Sequence, residues 1–177
     1  MDFWHCCPRT ANATMTSTSL DGKKKSAMTT DLDVIQILER DHRRMDQLAE
    51  QLDSVTDTGE IRRLYVQIVD ELLAHEAVEQ EVLFPAFRAL SEVGGDNTLD
   101  KRMGEHEELN CLLAEMRELD PNEFAFIKRG SALLQEMESH FAREEESVFA
   151  RMRAEIPLEE LLALGHRAMA MKNASTI

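Results

Sequence analysis

From Leu32 onward, apolar residues recur three and four positions apart in long stretches, and no stretch alternates with period two, which predicts an all-α chain. Helix A is expected from about 31 to 55, with Leu38, Met45 and Leu52 on one stripe, ending in TDTG at 56–59. Thr30 and Asp33 stand at capping-box spacing ahead of it. Helix B follows to about 91, with Ile61, Leu64, Ile68, Leu72, His75, Glu79, Val82 and Ala86 on its stripe. Pro85 should free the Glu81 carbonyl and bend the later turns. After VGGDN at 93–97, helix C covers about 98–119 and turns Leu99, Met103, His106, Asn110 and Leu113 inward. Asp120, Pro121 and Glu123 read as N-cap, N1 and N3 of helix D, whose stripe is Ile127, Leu134, Met137, His140, Glu144 and Val148. Pro157 opens a short fifth helix to about 172. Four long helices with short connections imply an up-down-up-down antiparallel four-helix bundle with a C-terminal helix alongside.

Residues 1–29 carry no apolar period and are rich in Thr, Ser, Asn and Lys, so a disordered tail is expected, and Met28 is an alternative start. The remainder suits one domain with a single core. Acidic residues outnumber basic ones, 34 to 20, for a net charge of -14, which disfavours nucleic acid and anionic membrane surfaces as partners. No run approaches the roughly eighteen apolar residues of a membrane span, and the N-terminus has no apolar secretory core, so a cytoplasmic protein is expected. Cys6, Cys7 and Cys111 encode neither a disulfide framework nor a thiolate zinc site, and Cys111 reads as a buried, inert thiol.

The polar positions on the apolar stripes change the picture. Each long helix carries one histidine there: His42, His75, His106 and His140. In antiparallel neighbours two residues are level when the midpoint of their numbers falls in the connecting turn, because each helix rises about 1.5 Å per residue. The midpoint of His42 and His75 falls in TDTG, and that of His106 and His140 beside Asp120–Asn122, so the imidazoles converge on one layer. Glu79 and Glu144 follow His75 and His140 at i+4, on the same helix faces. Buried carboxylates without partners cost several kcal/mol each, and no Arg or Lys is expected on these stripes at that height. A bound cation removes that cost. Imidazole and carboxylate without thiolate suit iron, manganese or zinc, and six side chains are too many for one zinc. Two carboxylates bridging a metal pair, joined by an oxo or hydroxo group, fit the count and leave positions for an outside ligand.

The segments RDHRRM, HEAVEQEVLFP, GEHEEL and HFAREEESVF resemble the hemerythrin-like (HHE cation-binding) domain family over about residues 31–172, within an expected domain of 30–173. The resemblance implies a four-helix bundle with a non-haem di-iron centre held by His42, His75, Glu79, His106, His140 and Glu144, with Glu79 and Glu144 as bridges. It implies O2, peroxide or NO as the small ligand, for sensing or for catalase-like peroxide decomposition, in a monomer or weak homo-oligomer. An iron-homeostasis or regulatory module without catalysis is the alternative. Two departures stand out: oxygen-carrying hemerythrins have a fifth histidine where this chain has Asn110, and their last carboxylate is an Asp at i+5, where this chain offers Glu144 at i+4 and Glu145 at i+5. Glu76, Glu105 and Glu107 are expected at the surface or behind the ligands, and His166 is expected to be structural. Tyr65, roughly 15 Å from His75 along a regular helix, is too far to ligate.

Overall fold

A computed structural model describes residues 31–91, 97–120 and 122–174, and in these the chain forms helices and no strand. Helix α1 (Val34–Ser54) opens with a capping box in which the Asp33 carboxylate accepts from the Gln36 backbone N–H and the Gln36 side chain accepts from that of Asp33. The cap therefore falls at Asp33, with Gln36 in the role expected of Asp33. Thr30, the tail and most of the 93–97 turn lie outside the described residues. Helix α2 (Thr58–Val78) is capped by Asp57 and runs through a π-helical turn, Glu79–Leu83, into α3 (Phe84–Ser91). Helix α4 covers Thr98–Arg117, and α5 (Phe124–Glu144) passes through a second π-helical turn, Glu145–Phe149, into α6 (Ala150–Glu155). Helix α7 (Leu158–Ala174) packs along α1. The architecture is the expected helical bundle with a C-terminal helix alongside.

Pro85 acts as its chemistry requires. It has no N–H to donate, and the Glu81 carbonyl it leaves free accepts from the Arg167 guanidinium of α7 at 3.2 Å. The helix absorbs the disturbance as a π turn in which the Phe84 N–H reaches back to the Glu79 carbonyl.

Three expectations about faces and caps are corrected. Helix α5 starts at Phe124, because the Asp120 carboxylate is engaged by the backbone and side-chain nitrogens of Asn122 in a preceding turn, and Pro121 lies outside the described residues. Helix α4 is rotated so that Leu99, Arg102, His106, Leu109, Leu113 and Met116 face inward, while Met103 and Asn110 are exposed. On α5, Phe126, Gly130 and Leu133 take the inner face ahead of Met137, and Ile127 is exposed. Gly130 is required there: a Cβ would lie on the Tyr65 ring, which is itself edge-on to Phe126.

The apolar interior divides into two clusters. One gathers Val34, Leu38, Val78, Val82, Phe87, Val148 and Met152 with Leu161 and Leu164 of α7. The other gathers Met45, Leu48, Ile68, Leu72, Leu109, Leu113, Leu133 and Met137. In each long helix the stripe histidine falls between residues of the two clusters, so the polar layer is sealed above and below by apolar packing.

Candidate metal centre

His75, Glu79, His140 and Glu144 are fully buried, and His42 and His106 nearly so. They form two groups, His42–His75–Glu144 and Glu79–His106–His140, and within each group the available ligand atoms lie within 4.8 Å of one another. All six residues singled out by the sequence are therefore brought together. Glu79 spans the two groups: Oε1 is 3.3 Å from His75 Nε2, and Oε2 is 3.0 Å from His106 Nε2. Glu144 Oε2 is 3.5 Å from His42 Nε2, which faces His75 Nε2 at 3.2 Å.

The residues fit a metal. Both oxygens of Glu79, both of Glu144, and Nε2 of His106 and His140 are buried and have no hydrogen-bond partner. Even the 3.0 Å approach of His106 to Glu79 lacks hydrogen-bond alignment. Lone pairs that crowd together without pointing at one another are arranged around common points, as donors around cations are. A dry interior tolerates so many unsatisfied groups only if something positive satisfies them.

The electrostatics of the metal-free state agree. Burial pushes Glu144 well above the usual carboxylate range, and the adjacent Glu79 adds to this; Glu79 is held well below that range, because His75 and the contacts from Glu144 and His106 outweigh its burial. For His75, burial disfavours the charged ring, but Glu79 and Asp41 prevail and raise its pKa to about 9. Burial and the neighbouring His75 charge lower His42 to about 2.

A second ring of groups orients the imidazoles. Glu145, largely exposed at the start of its π turn, takes His42 Nδ1 at 2.8 Å. Adjacent glutamates therefore have different placements, Glu144 in the centre and Glu145 behind it. Glu105 takes His140 Nδ1 at 2.9 Å while pairing with Arg102 at 2.9 Å and Arg143 at 2.8 Å. Asp41 stands 3.6 Å from His75 Nδ1 and is held by Lys172 of α7 at 2.6 Å. Arg102 corrects the expectation of no basic group at this height: it is buried, it pairs with Glu105, and its charge partly offsets the rise in Glu144. Asp41 and Lys172 were not singled out from the sequence, although Asp41 directly precedes His42.

Asn110 is turned away, its amide donating to the His106 carbonyl at 2.9 Å and to Glu76 at 3.2 Å. Glu76 is consequently buried, whereas Glu107 is exposed as expected. Cys111 is exposed, since the rotation of α4 carries it outward, and His166 is exposed beside Asp31 rather than built into the core.

Known proteins resemble this chain at several levels. A DNA nickase from Nostoc sp. is 26% identical over 130 residues, 73% of this chain but 36% of that protein. An uncharacterized hemerythrin-like protein from Schizosaccharomyces pombe is 24% identical over 123 residues, 70% of this chain and 61% of its own length. The chain thus spans less than two thirds of either curated relative. The crystal structure of a hemerythrin HHE cation binding domain-containing protein from Mycobacterium kansasii matches with a TM-score of 0.71, at 18% identity, over 81% of this chain and 86% of that one, a likeness of fold. The profile of the hemerythrin HHE cation binding domain matches residues 33–152, from the Asp33 cap through all four histidine-bearing helices. A bundle closed around two His/Glu groups fit for cations, under a profile that covers most of the sequence, belongs to the hemerythrin HHE cation-binding domain family.

Proposed function

We propose that this metal-binding protein holds two irons on His42, His75, Glu79, His106, His140 and Glu144, and that the pair engages O2, peroxide or NO in sensing or in peroxide decomposition. The observation that carries this reading is the position of Glu79, with one oxygen toward each three-residue group. A pair of irons supplies one-electron exchange with such ligands. The protein's part is to hold and insulate. Glu79 and Glu144 contribute the negative charge that draws two cations together, and the four imidazoles complete the donor set without thiolate. The apolar clusters above and below exclude bulk water, which strengthens every charge interaction inside. Glu145 and Glu105 fix ring orientation from behind, and Asp41 stands 3.6 Å from His75 as a charge partner. A negative net charge of -14 favours cation uptake over nucleic-acid binding, in keeping with a cytoplasmic protein that acts on a small ligand.

Anaerobic loading with ferrous salt should give two irons per chain and, after oxidation, ferric absorption in the near ultraviolet. Retention of less than about half an iron per chain rejects the proposal. Peroxide consumption by the loaded protein, lost in His75→Ala, supports a redox role. The complete burial of His75, Glu79, His140 and Glu144 also suits a second reading, an iron-homeostasis or regulatory module without turnover. Metal-dependent folding with no peroxide consumption selects that reading.

A further inference from the structure

Helix α7 lies beyond residues 33–152, the span matched by the family profile, yet it packs on α1, on α2 and on the π turn that begins at Glu79. Leu161, Leu164 and Ala168 enter the apolar cluster of Val34, Leu38, Val78 and Val82. Two basic side chains of the same helix reach past this packing to the elements that carry the donors. Arg167 donates to the Glu81 carbonyl, two residues from Glu79. Lys172 donates to Asp41 Oδ2 at 2.6 Å, and Asp41 directly precedes His42.

Asp41 is 5% exposed, and a carboxylate so placed keeps its charge only beside a cation. The same Oδ2 stands 3.6 Å from His75 Nδ1, which is buried and has no hydrogen-bond partner. The other ring nitrogen, Nε2, faces Glu79 and His42 in the centre. A negative charge behind Nδ1 keeps the proton on that nitrogen and makes Nε2 the better donor. The source of the charge sets His75 apart. Behind His42, Glu145 is exposed, and behind His140, Glu105 is held by Arg102 and Arg143 of α4 and α5, inside the matched span. Of these three carboxylates, Asp41 is the one held by a residue outside that span.

We propose that α7 is a clasp on the metal centre: Lys172 is a positioning residue that holds Asp41 behind His75, so that cation binding depends on a helix beyond the matched domain. The proposal rests on the metal-binding reading above. Without Lys172, the buried carboxylate loses the cation that fixes it, and its oxygen is free to leave its place behind the ring.

The test compares the full-length parent with Lys172→Met, Asp41→Asn, the double variant and Lys172→Arg, each loaded anaerobically with ferrous iron and read by chelator competition. Iron content of the parent is measured first, and less than about half an iron per chain rejects the metal-binding reading. With the parent loaded, Lys172→Met and Asp41→Asn should each lower affinity by about tenfold, and the double variant by no more than either alone, because both break one link. Lys172→Arg, which keeps the charge, should recover most of the loss. The clasp is overturned if Lys172→Met stays within about twofold of the parent, if the two losses multiply to about a hundredfold, or if Lys172→Arg binds no better than Lys172→Met. A metal-free readout decides the matter even where iron does not bind. The His75 ring nitrogen-15 signals should shift in Lys172→Met while those of His140 stay in place, and unchanged His75 signals overturn the proposal whatever happens to the melting temperature.

Discussion

His42 and His75 present Nε2 atoms to each other at 3.2 Å, and only one proton fits between them. The metal-free protein resolves this by charging His75, whose pKa rises to about 9, and keeping Glu144 protonated well above the usual carboxylate range. Metal uptake near neutral pH should therefore release protons from both residues, and affinity should rise as the pH approaches about 9. A dye indicator in weak buffer during metal titration checks this; uptake without proton release contradicts the charge state described. Behind the donors, Glu145→Ala and Glu105→Ala should each lower metal affinity by roughly 10- to 100-fold while leaving the fold intact, as read by chelator competition. The donors were legible in the sequence because a histidine or glutamate on an apolar stripe contradicts its surroundings. The outer carboxylates were not. Glu145, Glu105 and Asp41 sit among many ordinary surface acids, and only the packing of one helix against the next reveals which of them meets an Nδ1.

At the scale of elements, the centre depends on two π-helical turns, one starting at Glu79 and the other directly after Glu144. Glu144 and Glu145 part company because neighbours on a helix point about 100° apart, so one turns inward and the other outward. Pro85 announced the first turn in the sequence; the segment Glu145–Phe149 carries no such signal, because nothing in its residue types forbids a regular helix. Helix α7 is tied to the rest by backbone proximity: a Cβ on Gly165 would lie 2.3 Å from the Leu32 carbonyl oxygen. Gly165→Ala should therefore cost about 1–3 kcal/mol and lower the melting temperature by several degrees, since a main-chain atom cannot swing aside. An unchanged thermal melt would mean that α7 does not press on the start of α1. The α4 stripe was misjudged from the sequence because Met103 and Asn110 pass for inward residues as readily as Arg102 does for an outward one, and the packing of Leu109, Leu113 and Met116 against the other helices decides the matter.

For the whole molecule, the buried histidines set the pH range of the metal-free fold. His42, lowered to about 2, and His140, also lowered, take up protons only on unfolding, so stability falls as the pH drops below the ordinary imidazole value. His75 is raised, so its contribution is complete below that value and is lost as the pH rises through about 9. The melting temperature of the metal-free protein should peak near pH 6.5, about the pKa of an unperturbed imidazole. In the metal-loaded protein the alkaline decline should disappear, because the proton on His75 is replaced by a cation that persists at high pH. Melting curves across pH with and without chelator test both statements, and a metal-free optimum well above pH 8 would contradict them.

What the sequence determined by itself was the helical class, the order of the elements, and the identity of six of the polar residues in the apolar interior, since each follows from spacing along a helix of known rise and period. What only the tertiary structure decided was the division of the six into two groups, the span of Glu79 between them, the rotation of α4, and the hold of Lys172 on Asp41. These depend on how helices turn about their own axes when side chains interlock, and that rotation is fixed by contacts between residues far apart in the chain.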